Sequence, residues 1–113
     1  MTDPLLRHAT PTDTAAIIDL HHAALRSVMA DAGPGPGDDD LNDIRQHYLE
    51  PGGEFLVLET NAQIIAMGAL RRTGPTTAEV KRMRVHPDHQ GSGHGRLLLN
   101  TLEERAVSRG IRS

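Results

Sequence analysis

The run Gln90-Gly91-Ser92-Gly93-His94-Gly95 alternates glycine with other residues directly ahead of a segment whose apolar residues recur at helical spacing. Glycines at 91, 93 and 95 let the main chain turn tightly and approach a ligand closely. The first turn of a helix adds N–H groups with no partner inside the helix and the positive end of its dipole. Together these features describe a corner that holds a phosphate-like anion through main-chain donors. Read alone, the same run is also simply how a helix starts. No Lys-Ser/Thr pair follows, so it is not a Walker loop. Nor does it follow the first strand of a repeated βαβ unit, as a dinucleotide fingerprint would. Lys81, Arg82, Arg84 and Arg96 gather with several histidines around the loop, which suits an anionic ligand at that one place.

Those glycines need a strand before them and a helix after them. Thr77 to Val85 reads as the strand, ended by Pro87. Ala78 and Val80 share one parity while Met83 and Val85 share the other, so a regular strand would point the two pairs to opposite faces. One extra residue near Lys81-Arg82, a β-bulge, would restore the phase. A central strand covered on both faces would explain the pattern equally well. The helix starts near Gly93, with Leu98, Leu99, Leu102 and Ala106 as its apolar stripe, Gly95 in line one turn earlier, and Gly110 as its stop.

Upstream, Leu5 to Ala9 predicts a short strand. Thr10-Pro11-Thr12-Asp13 predicts a helix start, and Ile17, Leu20, Ala24 and Val28 carry that helix to about Ala32. The Gly/Pro run from Gly33 to Gly37, with Asp38-Asp39-Asp40, predicts a loop. Asp40 caps an expected second helix through Tyr48 or Leu49, which Pro51-Gly52-Gly53 ends. Phe55 to Glu59 and Gln63 to Arg71 predict a hairpin joined at Thr60-Asn61-Ala62.

A length of 113 residues allows one domain. One Phe, one Tyr and no Trp leave an aliphatic core. The lack of cysteine excludes disulfides and thiolate zinc sites and suits a reducing cytoplasm. A net charge of −3 argues against a general nucleic-acid binder. No stretch reads as a signal peptide or a membrane span. Seven histidines invite a metal, but neither His21-His22 nor His86, His89 and His94 follow a zinc spacing, and Asp38-Asp39-Asp40 lacks the alternation of a calcium loop. No metal is expected.

Met83-Arg84-Val85-His86-Pro87-Asp88-His89-Gln90-Gly91-Ser92-Gly93-His94-Gly95-Arg96-Leu97-Leu98 closely resembles the acetyl-CoA-binding motif of the GNAT superfamily of N-acetyltransferases. Gln90, Gly93 and Gly95 fill its three defining places. His94 departs from the aliphatic residue usual there. The resemblance implies an α/β (α+β) fold with a mixed, mostly antiparallel sheet flanked by helices. Its order is β-α-α-β-β-β-α, the N-terminal part of an acyl-CoA N-acyltransferase fold.

The resemblance also implies roles. Main-chain groups of the run Met83-Arg84-Val85, chiefly Met83 and Val85, pair with the pantetheine arm. The N–H groups of Gln90, Gly91, Ser92, Gly93, His94, Gly95 and Arg96 hold the pyrophosphate. Acetyl-CoA is then the cosubstrate and a small-molecule or peptide amine the acceptor. A lysine-like ammonium (pKa ~10.4) must lose a proton before it attacks a thioester. Glu79 occupies the place of a glutamate base in several family members; alternatively it is a solvent-facing carboxylate paired with Lys81 or Arg82. The Val85 N–H is the family's oxyanion donor. The family's usual general acid, a tyrosine on a later helix, is expected beyond Ser113. Tyr48, the only tyrosine, is expected to pack or to line the acceptor cleft.

The resembled domain continues for about three strands and a helix past Gly110. Residues 1–113 are therefore expected to form a single, incomplete N-acetyltransferase domain. Its fourth strand would have an open edge, which a longer chain, a second copy or a separate protein could complete.

Overall fold

The computed structural model of the chain describes residues 4–27 and 40–111. The continuation of the first helix to Ala32 and the Gly/Pro loop lie outside those residues.

Four strands form one antiparallel sheet in chain order: β1 (Leu5–His8), β2 (Glu54–Thr60), β3 (Gln63–Arg72) and β4 (Ala78–Val85). Helix α1 (Thr14–Ser27) packs on one face and helix α2 (His94–Ser108) on the other. The chain enters α1 through a 3-10 turn, Pro11–Asp13. The Asp13 carboxylate accepts from the Thr10 main-chain N–H at 2.7 Å and binds the Arg7 guanidinium at 2.8 and 3.0 Å. The β2–β3 connection puts Asn61 and Ala62 at φ of 51° and 63°, the left-handed pair that matches strand twist.

The expected second helix is shorter than its pattern. Leu41, Ile44 and Tyr48 are buried at helical spacing, but the regular part is one wide turn, Arg45–Leu49. Glu50 and Gly53 N–H groups reach back five residues to Arg45 and Tyr48 carbonyls at 2.8 Å. The cap is Asp43 and not the expected Asp40: its carboxylate accepts from the Gln46 N–H and its carbonyl from the His47 N–H, both at 3.1 Å, so the helical stretch starts late. Gly53 then leads into β2 in a place no side chain could occupy, since a Cβ there would lie 2.0 Å from the Leu70 carbonyl oxygen.

Each sheet face has its own core. Ile17, Leu20, Leu41, Tyr48, Phe55, Val57 and Met67 fill the α1 side. Leu56, Leu58, Leu70, Leu98 and Leu102 fill the α2 side. Full burial of a leucine is worth about 1.5–3 kcal/mol, so Leu98 and Leu102, each 0% exposed, anchor α2. Leu99, expected in that stripe, is 36% exposed, because the face toward the sheet runs through Gly95, Leu98, Leu102 and Ala106. At the far end of α2, the buried Glu54 carboxylate receives Arg109 Nε and Nη2, both at 2.6 Å, Arg105 Nε at 3.4 Å and His8 Nε2 at 2.6 Å. This cluster joins β1, β2 and α2. Burial alone would raise the Glu54 carboxyl, but the His8 and Arg109 contacts outweigh it and hold it below the ordinary range.

Candidate functional site

Strand β4 carries the bulge that its parity conflict suggested. Met67 pairs with Arg84 and Ala69 with Lys81, so Gly68 alone opposes Arg82 and Met83. Arg82 takes a left-handed backbone at φ 58°. The extra residue puts Ala78, Met83 and Val85 against the α2 core. Lys81 and Arg84 stand opposite Ala69 and Met67 of the α1 core. Gly68 leaves room for this: a Cβ there would meet Met83 Sδ at 2.4 Å and Leu102 Cδ1 at 3.1 Å.

The hydrogen-bond phase of β4 fixes which main-chain groups are free to bind. The His86 N–H donates to the Ile65 carbonyl at 2.8 Å, so His86 and Ile65 are a bonded pair. Alternation along an antiparallel ladder then turns the Val85 N–H and carbonyl away from β3, toward the outer edge. Side chains meet this edge: Gln90 Nε2 donates to the Val85 carbonyl at 3.3 Å, and Arg84 Nη1 to the Met83 carbonyl at 2.9 Å. Among the described residues no strand pairs with β4 on that side.

Beyond Val85 the chain makes a 3-10 turn, Pro87–His89, braced by the Asp88 N–H donating to His86 Nδ1 at 3.1 Å. Gly91 and Gly93 follow at φ of 84° and 83°, and Gly93 is the residue from which α2 springs. A Cβ at either would meet nothing within 4 Å, so the space beside both glycines is open. Gly95 differs: it faces Val85 Cγ2 at 3.6 Å and sets how closely α2 approaches β4. The His86, His89 and His94 rings line the bend in series, with centroids 5.8 and 6.4 Å apart. Among the described residues no group of three or more His, Cys, Asp or Glu is placed to hold a metal ion.

Glu79 pairs in register with Arg71, on the opposite parity from Ala78, which packs on the α2 core, and from Val80, which lines a groove with Leu102 and Ala106. Its side chain is 58% exposed, with Lys81 Nζ at 3.8 Å. The bulge therefore separates Glu79 from the face that Met83 and Val85 share. Arg96 is exposed on the first turn of α2. Tyr48 is buried and meets Phe55 edge to face at 5.2 Å; its hydroxyl donates to Asp40. A cavity of about 290 Å³ lies between α1 and the β4 exit, lined by Asp19, Leu20, Ile64 and His86 among others.

Sequence reasoning missed one cluster at the β4 bulge. Asp40 accepts from Arg82 Nε and Nη2 at 3.0 and 2.5 Å as well as from Tyr48. Burial would raise the Asp40 carboxyl, yet Arg82 and Tyr48 outweigh it and hold it low. Burial, with the bond to Asp40, pushes the Tyr48 hydroxyl up to about 12. Nothing in the sequence signalled that Asp40 meets an arginine 42 positions away.

The family model for the acetyltransferase (GNAT) family matches residues 16–113. The chain belongs to that family. Two curated relatives are mycothiol acetyltransferases. One, from Parafrankia sp. (strain EAN1pec), is 34% identical over 97 residues, which is 86% of this chain and 29% of that protein. The other, from Amycolatopsis mediterranei (strain U-32), is 31% identical over 92 residues, 80% of this chain and 27% of that protein. The chain thus spans less than a third of either. Among solved structures, yncA from Salmonella typhimurium, solved with its cofactor acetyl-CoA, superposes with a TM-score of 0.74 at 29% identity, covering 97% of this chain and 66% of that one. A GNAT-family acetyltransferase from Staphylococcus aureus Mu50 gives 0.88 at 18% identity, covering 96% and 68%, and shares the fold. No helix among the described residues is long and apolar enough to cross a membrane.

Proposed function

We propose that this GNAT chain carries the acetyl-CoA-binding part of an N-acetyltransferase that acts on a primary amine, and that residues 1–113 are part of one such domain. The observation that carries the reading is the open bend at Gly91 and Gly93, linked through the Gln90 side chain to the outward main chain of Val85. Main-chain donors from Gln90 to Arg96 suit a pyrophosphate there. The Met83 and Val85 edge suits an extended amide-bearing arm, added as another strand would be. Acetyl-CoA supplies an activated acetyl thioester. The Val85 N–H, directed off the sheet, is the donor for the carbonyl oxygen that gains charge during transfer. The Glu79 carboxylate, exposed on the strand, takes the acceptor's proton through a water.

Small metabolites and peptide amines both fit as acceptors, and a cytoplasmic setting fits a chain without cysteine. A second reading, capture of the cofactor without turnover, is favoured by the unpaired outer edge of β4 among the described residues. A second copy or another protein adding a strand at that edge would be a further way to complete the sheet. Calorimetric titration with acetyl-CoA, followed by an assay of CoA release across a panel of amines, separates these readings. Binding with release supports the enzyme, binding without release supports the capture module, and no binding defeats both.

A further inference from the structure

We infer that Arg82 is a positioning residue: its tie to Asp40 and Tyr48 holds the β4 bulge and so aims the Met83–Val85 main chain at the cofactor. The inference rests on the acetyl-CoA reading above but makes a separate claim. Arg82 carries a left-handed backbone at φ 58° without being glycine. Such a residue persists only where its surroundings over-determine it. The surroundings here are visible. The Arg82 side chain is 16% exposed, and its Nε and Nη2 meet both oxygens of Asp40 at 3.0 and 2.5 Å. The two parallel bonds fix the plane of the guanidinium as well as its position. Asp40 is held in turn by the hydroxyl of Tyr48, a 1% exposed side chain seated on Phe55. The bulge is therefore tied to the α1 core through three side chains from separate segments.

The consequence falls on the next three residues. The bulge gives two β4 residues, Arg82 and Met83, to the single residue Gly68. Without it the pairing would slip by one, and a one-residue slip exchanges every side chain between faces. Met83 and Val85 would leave the α2 core, and the outward N–H and carbonyl of Val85 would turn in toward β3. The edge proposed to receive the pantetheine arm exists only while Arg82 stays left-handed.

Glycine separates this role from a direct contact of Arg82 with the ligand, because glycine adopts positive φ without the tie. Arg82→Ala should weaken acetyl-CoA binding by about tenfold or more, the equivalent of one strained left-handed residue. Arg82→Gly should recover most of that loss. Asp40→Asn should weaken binding in the parent chain and cost little in the Arg82→Gly background. Should Arg82→Ala not fold, the two Asp40→Asn comparisons carry the same information. A second readout needs no cofactor: the nuclear Overhauser contact between the Met83 and Leu102 methyls over Gly68 should fade in Arg82→Ala and return in Arg82→Gly. Arg82→Gly binding as poorly as Arg82→Ala would overturn the inference, and so would Asp40→Asn costing as much beside Gly as beside Arg. A parent chain that binds no acetyl-CoA would instead defeat the functional reading. The methyl contact then decides this one, which falls if the contact is unchanged in Arg82→Ala.

Discussion

The Gln90 side-chain amide donates to the Val85 carbonyl at 3.3 Å, tying the glycine bend to the open edge of β4. A strand-like ligand would compete for that carbonyl, so the side chain and the ligand cannot both hold it in the same way. The donors proposed for the pyrophosphate belong to the main chain. Gln90→Ala should therefore change acetyl-CoA affinity by no more than about threefold. It should lower stability by less than about 1 kcal/mol, the scale of one exposed neutral hydrogen bond. Calorimetry and urea unfolding check both. A tenfold loss would mean that the Gln90 side chain itself holds the ligand.

Glu79 is exposed, with Lys81 at 3.8 Å, and a surface pair of that kind contributes about 0–1 kcal/mol. Glu79→Gln should leave the melting temperature and acetyl-CoA affinity unchanged. If Glu79 is the base, kcat with an accepted amine should drop by about 10²-fold or more. Steady-state kinetics decide this: a kcat within twofold of the parent would move the proton-accepting role to another group.

Acid should destabilise the fold through Asp13, Glu54 and Asp40. The Arg7 hydrogen bond, set against burial, brings Asp13 from 3.8 to about 2, and Glu54 and Asp40 are also lowered. A lowered carboxyl binds fewer protons folded than unfolded. Its contribution is complete above the unfolded value, near 4, and is lost as pH falls toward about 2. For Asp13, which is 8% exposed, that amounts to about 2 kcal/mol. Urea midpoints between pH 6 and pH 2.5 should fall with acid, and Arg7→Ala should flatten the fall. A parent whose stability is the same at both ends would contradict the assignment.

The sequence announced the strands and the bend because their signals are local. Turn residues at 60–62 and 72–75, the proline at 87 and the alternating glycines bound elements whose hydrophobic spacing is clear. The bulge was legible as one of two options, since the conflict between Ala78/Val80 and Met83/Val85 had to be resolved somewhere. Its place near Lys81-Arg82 was legible for the same reason. The left-handed backbone of Arg82 was not, because it goes with a contact to Asp40 made only once the chain has folded. The Glu54 cluster was hidden for the same reason. Arg105 and Arg109 look like solvated helix positions until β2 brings a buried carboxylate beneath them. The second helix was over-read because Leu41, Ile44 and Tyr48 keep helical spacing, although Asp43 and Pro51-Gly52-Gly53 leave little room for regular turns.

The central claim is that bare main-chain amides at Gly91 and Gly93 form the anion corner, and Gly93→Val tests it most directly. At φ 83° a β-branched residue is strained even though the space beside it is open. Titrating acetyl-CoA into this variant should show affinity lower by about tenfold or more, as expected for one strained left-handed residue. Its circular dichroism should match the parent. A folded Gly93→Val chain that binds acetyl-CoA as tightly as the parent would contradict the account.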